Sequence, residues 1–249
     1  MSVGTDSSPS SPGLMSTLLK RDGWPVVGIV VATVAAQVSV FLIPQAYGVP
    51  ARGLVPASLI IAGVWVALAS AIFSAGPRST ISAILRGGCV ADATAVLLIV
   101  LWLSTPEVTF IAAVKLYCIY ASVALCAIAI VRCAKALRFR YLLAVICGVL
   151  LTAVQGGLFW LPGLLQIVPA DYKVAVAGLG LRANPLYGVF SAIANESGFV
   201  WHYAEVMYRI TPLGEDIAVP PVQWHEPMAI SLIAAVVFTV LALLRNRRA

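Results

Sequence analysis

Charge is what this chain has least of. Sixteen Lys and Arg and ten Asp and Glu make up 10% of 249 residues, against about 25% in soluble globular domains. So few charges cannot cover a water-facing surface, which excludes an ordinary soluble fold. Histidine is scarcer still, at two residues, and no CxxC pair or His/Cys cluster has the spacing of a metal site. The five cysteines (Cys89, Cys118, Cys126, Cys133 and Cys147) all fall within apolar segments or on one side of them. The long polar-rich stretch after residue 162 has none, which argues against a disulfide framework. There is no GxxxxGK[ST] run to cradle a nucleotide and no legible nucleophile–base pair. The chain is therefore read as a non-enzyme with no metal and no other cofactor.

Hydrocarbon is what the sequence has instead. Hydrophobic residues make up 61% and the mean hydropathy is +0.99. A helical span needs about 20 mainly apolar residues, because each backbone N–H and C=O must be satisfied within the segment. Six stretches approach that: Trp24 to Ile43, Leu54 to Ala75, Gly88 to Thr105, Val108 to Val131, Tyr141 to Pro162 and Met228 to Leu244. The third is the weakest, since it includes Asp92 near its inner end and has a clean apolar run only from Ala93 to Leu103. The first is too long for a cleavable signal peptide and lacks a small-residue cleavage site. Residues 1–13, rich in Ser and Pro, read as a disordered tail, and residues 14–249 as a single transmembrane domain. The fold class is thus all-α, a polytopic membrane protein with six transmembrane helices.

Orientation follows from the basic residues. Lys20, Arg21, Arg78, Arg86, Arg132, Lys135, Arg138, Arg140, Arg245, Arg247 and Arg248 fall on one side, and only Arg52, Lys173, Arg182 and Arg209 on the other. The expectation is a plasma (inner) membrane protein with both termini cytoplasmic. The net charge of +6 is then a matter of topology, with no call for nucleic acid as a partner.

The outer loop, 163–227, is too long to lack structure. Asn184 is a good N-cap with Pro185 at the first helical position. Leu186, Val189, Phe190 and Ile193 then form one apolar stripe. One short helix should end at the Asn195–Gly198 break, and a second should run from about Phe199 to Arg209. Each is about 16 Å long at 1.5 Å per residue, half a bilayer. They should lie at the outer interface or form a re-entrant hairpin packed on the bundle.

This arrangement resembles the membrane subunits of ABC-2 type transporters. "GLMSTLLKRDGWP", Gly13 to Pro25, is similar to that family's amphipathic N-terminal helix, with Met15, Leu18 and Leu19 on one face. "GPRSTISAILRGG", Gly76 to Gly88, is similar to its cytoplasmic coupling segment between spans two and three. "GLFWLPGLLQIV" followed by "ANPLYGVFSAI" is similar to its Pro after span five and the Asn-Pro that opens an outer helix. The resemblance implies a permease energised by a separate ATP-binding subunit and working as a homo- or heterodimer in the lipid bilayer. It also implies an outer gate at Asn184, Pro185, Leu186, Phe190 and Ile193. Arg78, Ile81, Ile84, Leu85 and Arg86 become the candidate surface for coupling to the ATPase, although a membrane-surface helix would use the same residues. The tail of the loop, "LGEDIAVPPVQWHEP", has no counterpart in the family.

Four further residues carry polar groups in unusual places. Lys115 in span four and Asp92 in span three are ionisable residues in apolar segments, functional candidates by default. Lys115 is read as snorkelling to the outer headgroups beside Glu107. His202 and His225 each follow a Trp outside the membrane and are read as interface hydrogen-bonders. As haem ligands they would place the chain instead among haem- or quinone-linked redox or cytochrome-assembly proteins. A third reading is a non-transporting structural subunit of a membrane complex.

Overall fold

Nine helices run through the residues described by the computed structural model, which are 14–77, 79–106, 108–134, 139–197 and 223–246. They are α1 (Leu14–Ala46), α2 (Ala51–Ala75), α3 (Thr80–Ser104), α4 (Phe110–Ala134), α5 (Arg140–Gln155), α6 (Gly157–Ile167), α7 (Ala170–Arg182), α8 (Pro185–Ser197) and α9 (His225–Asn246). Five contain segments long and apolar enough to cross a membrane: Gly23–Ala46, Gly53–Ala75, Thr80–Ser104, Phe110–Ala134 and His225–Arg245. The chain is a polytopic, helical membrane protein.

Small residues set how closely the long helices approach, since lipid supplies no hydrophobic drive between helices and close van der Waals contact must hold them. A Cβ added at Gly148 of α5 would lie 2.9 Å from Leu68 Cδ2 and 3.1 Å from Leu68 Cα of α2. One at Gly87 of α3 would lie 2.7 Å from Ile128 Cγ1 of α4. There the Ser70 hydroxyl of α2 donates to the Gly87 carbonyl at 2.9 Å. The central core joins Phe41, Leu59, Val66, Leu97, Leu101 and Leu116, so α1 to α4 share one packed interior.

Helix ends are closed by local chemistry. After α1, Gly48 takes φ 83°, which lets the Val49 N–H reach the Pro44 carbonyl at 3.1 Å and the Gly48 N–H reach Gln45 at 3.0 Å. This is the Schellman pattern, which a left-handed glycine makes possible. The Thr109 hydroxyl oxygen accepts from the Ala112 N–H at 3.1 Å and caps α4.

Four expectations change. Within the N-terminal segment, the described residues from Leu14 to Pro25 form no separate helix, because α1 runs unbroken from Leu14 with Pro25 inside it. The stretch Gly76–Gly88 is likewise not detached from span three: Ser79 precedes a helix that starts at Thr80 and continues to Ser104. Nothing between Thr80 and Gly88 breaks a helix strongly enough to stop it, so span three is not short. Asp92 consequently sits at the centre of α3 and not near its inner end. Fourth, the expected span Tyr141–Pro162 is interrupted at Gly156, and Pro162 lies within α6.

α4 and α9 run parallel, with Lys115 Nζ over the Trp224 ring at one end (5.7 Å to the centroid) and Arg245 Nη1 donating to the Cys133 carbonyl at the other (3.4 Å). α6 and α7 form a hairpin closed by Leu161, Leu165, Ala177 and Leu181. α8 returns among α2, α4 and α9.

Candidate functional site

α5 stops inside the protein. Its sixteen residues make about 24 Å, short of the roughly 30 Å hydrocarbon core. Gln155 marks the depth of the stop. Its Nε2 donates to the Gly63 carbonyl at 3.2 Å, and Gly63 is the central residue of α2 (Ala51–Ala75). Ending a helix there strands carbonyls that neither lipid nor the helix can satisfy.

Three groups take those carbonyls, two just beyond the break and one from further along the chain. The Gly156 N–H donates to Thr152 at 2.8 Å, the Trp160 indole N–H to Ala153 at 2.7 Å, and the Asn184 amide Nδ2 to Gln155 at 3.0 Å. Asn184 also works in the other direction. Its Oδ1 accepts from the Leu186 N–H at 2.9 Å and the Tyr187 N–H at 3.4 Å, which makes it the N-cap of α8. A single side chain, 1% exposed, thus joins the carbonyl end of one half-helix to the amide end of another. The negative end of α5 and the positive end of α8 meet across it, an arrangement the two helix dipoles favour.

The rest of the junction is tight and polar. A Cβ at Gly63 would lie 3.0 Å from Gln155 Oε1 and 3.2 Å from Leu186 Cδ2. The Tyr120 hydroxyl donates to the Leu59 carbonyl at 2.8 Å one turn away on α2. Gln155 Oε1 is buried with no hydrogen-bond partner among the described residues, as is Gln37 Oε1, whose Nε2 donates to Thr94 Oγ1 at 3.0 Å. Buried acceptors of this kind are costly in apolar surroundings and are reasons to look for function. They can take a hydroxyl, an ammonium or a water.

The expected outer-gate residues come together here. Asn184, Pro185, Leu186 and Ile193 are buried and Phe190 is half-buried. α8 is held on nearly every side and not only along its apolar stripe. Gly188 explains how: a Cβ there would meet Pro227 Cγ at 2.5 Å and the Trp224 carbonyl oxygen at 3.3 Å, so α8 runs directly against the start of α9. The expected second helix, Phe199 to Arg209, and His202 lie outside the described residues.

The two ionisable residues of the apolar spans, Lys115 and Asp92, take no part in the hydrogen bonds given above. Lys115 meets Trp224, as given above. Asp92 is exposed at the midpoint of α3, and its Oδ1 accepts from the Tyr117 hydroxyl at 2.7 Å. A carboxyl at that depth is expensive without a donor. Tyr117→Phe is expected to destabilise the protein by about 1–3 kcal/mol, the cost of leaving one partner unpaired, and adding Asp92→Leu should recover most of that loss. Unfolding curves of the two single variants and the double variant check it; additive losses would mean the pair is not coupled.

The coupling candidates lie at the other end of the bundle. Ile81, Ile84 and Leu85 are 51%, 45% and 46% exposed on the first turns of α3. Arg86 is half-buried beside them, and Arg78 lies outside the described residues. Arg132 of α4 braces this corner, donating to the Pro77 carbonyl at 3.2 Å and to Thr80 Oγ1 at 2.9 Å. His225 sits edge-on to Trp224, 5.8 Å between ring centroids, and among the described residues no group of three or more His, Cys, Asp or Glu is placed to hold a metal ion.

Sequence reasoning missed Gln155, Trp160 and Gly63 as members of the junction, and it missed α7. For α7 a signal existed: Pro169 stands before the first turn, Asp171 lies in that turn and Arg182 in the last, the charge order a helix dipole prefers. Arg182 then pairs with Glu226 at 3.0 Å, tying α7 to α9. No protein family, no curated protein and no solved structure matches the chain.

Proposed function

We propose that this chain is the transmembrane permease subunit of an ABC-2-like transporter, driven by a separate ATPase and working as a homo- or heterodimer. The observation that carries the reading is the break at Gly156, where α5 ends at mid-bundle and hands over to α8 through Asn184. Discontinuous helices whose half-ends meet near the bilayer midplane recur in secondary transporters, where they place backbone dipoles in the path of a polar cargo, and the joint here suits transport by the same physics. In this reading α1, α2, α3, α4 and α9 cross the membrane and α5 with α8 completes a sixth crossing. The basic ends at Arg132 and Arg245 face the cytoplasm. The sequence has no P-loop of its own, so the energy source is a partner, and the exposed Ile81, Ile84 and Leu85 suit its docking.

Purification of the tagged full-length chain from its native membrane in mild detergent tests this. The expected result is a stoichiometric partner with a Walker motif and ATP hydrolysis in the purified complex. A chain that purifies with a Soret absorbance band and no ATPase would replace this reading with the redox one.

A further inference from the structure

One stripe of α3 is turned away from the bundle. Val96, Ile99 and Leu103 on it are exposed, and with Gly88 and Asp92 they recur at intervals of three or four residues, which keeps them on one face. From Gly88 to Leu103 the stripe measures about 22 Å at 1.5 Å per residue, most of a hydrocarbon core of about 30 Å. A Cβ added at Gly88 would meet nothing within 4 Å, so a neighbour can come close to the α3 backbone there. Asp92, the central residue of α3 (Thr80–Ser104), is exposed in the middle of this stripe. Tyr117 donates one O–H to its Oδ1 at 2.7 Å, whereas a carboxylate offers about four lone-pair sites. Among the described residues no cation pairs with it. An ionised side chain in a span almost always faces the bundle interior, a water-filled cavity or a partner charge. Exposure rules out the interior. The flanking Val96, Ile99 and Leu103 offer water nothing to bind, which leaves the partner charge.

We infer that this stripe is the seam for a transmembrane helix of a different subunit, one that presents a Lys or Arg opposite Asp92. Charge complementarity selects that occupant over two others. A second copy packed about a two-fold axis normal to the membrane would bring Asp92 against its own counterpart, like charge facing like. Lipid would leave the carboxylate with the Tyr117 hydroxyl alone. A basic side chain on a neighbouring helix matches it, and a single polar position in an otherwise apolar seam fixes register and partner choice. Gly88 adds the close backbone approach on which helix pairs in lipid depend. Any subunit with such a helix meets the requirement, whether or not it belongs to a transporter.

The test places a photo-crosslinking amino acid at Ile99 of the full-length chain and activates it in native membranes. The expected adduct is with one other membrane protein, at a transmembrane segment that carries a Lys or Arg within about two helical turns of the crosslinked residue, the separation of Ile99 from Asp92. Asp92→Asn keeps an acceptor for Tyr117 and removes the charge. It should lower the adduct yield at least about tenfold, as expected for a lost charge pair, with the unfolding midpoint unchanged. Gly88→Leu should also lower the yield, since the added side chain stands where the partner helix approaches. Exchanging the charges, Asp92→Lys with the partner's basic residue changed to Asp, should restore the adduct. Adducts with lipid alone, with a second copy of this chain, or with a segment that has no basic residue would each overturn the proposal, as would an adduct that survives Asp92→Asn. Ile81 and Leu85, the ATPase-docking candidates, precede Gly88 on α3, so the seam and the docking surface are probed at different residues and fail separately.

Discussion

Asn184→Leu should unfold well before the wild-type protein, with a loss of about 3 kcal/mol. That figure adds about 1–3 kcal/mol for a buried carbonyl left without a donor to about 1 kcal/mol for a lost N-cap. Leucine shares the branched skeleton of asparagine, so the change removes the hydrogen bonds while keeping the shape of the side chain. The Gln155 carbonyl loses its donor, and the Leu186 and Tyr187 N–H groups lose their acceptor, all at a depth where water cannot substitute. Asn184→Ser separates the two halves of the effect. A serine hydroxyl caps α8 but is too short to reach Gln155, so its loss should fall between wild type and Asn184→Leu. Thermal unfolding in one detergent, followed by circular dichroism, ranks the three. Equal midpoints for Asn184→Leu and wild type would mean that the junction does not hold α5 to α8.

If the proposed ATPase docks at the first turns of α3, Ile81→Glu combined with Leu85→Glu should abolish its retention while the membrane subunit stays folded. Both side chains are about half exposed, and on the docking reading they face the cytoplasm, so glutamates there cost the isolated chain little, whereas in a docked complex two carboxylates would be buried against an apolar partner surface. An unpaired charge at the centre of an interface costs several kcal/mol, which is a loss of a hundredfold or more in affinity. The readout is the ratio of ATPase to permease after affinity purification, with the unfolding midpoint as control. A ratio unchanged from wild type, at an unchanged midpoint, would show that this face meets lipid or water and not the ATPase.

How much of this was legible depends on where the controlling interaction lies. The long spans are legible because a run of about 20 apolar residues is sufficient to define them. The α8 N-cap is legible because Asn184, Pro185 and the stripe from Leu186 are neighbours in sequence. The break at Gly156 is not. Gly156 and Gly157 signal a packing or kink position, but what makes a helix end tolerable there is supplied from a distance: Gly63, 92 residues away from Gln155, and Asn184, 29 residues away. No local pattern encodes such partners. The same reason explains Asp92. Its residue type is conspicuous in the sequence, but its depth follows from where α3 begins, and its donor is Tyr117 on the next helix. The N-terminal segment Gly13–Pro25 misleads in the opposite direction. Its apolar stripe and Pro25 suggest a separate surface helix, yet Pro25 lies inside α1 without ending it.

The central claim, a permease that receives its energy from a separate ATPase at the first turns of α3, is tested most directly by a photo-crosslinking amino acid placed at Leu85 in the full-length chain and activated in native membranes. The account predicts one dominant protein adduct, with a subunit whose peptides include a P-loop motif, and loss of that adduct when Ile81→Glu is added. Adducts with lipid alone, or with a protein that carries no nucleotide-binding motif, would contradict it.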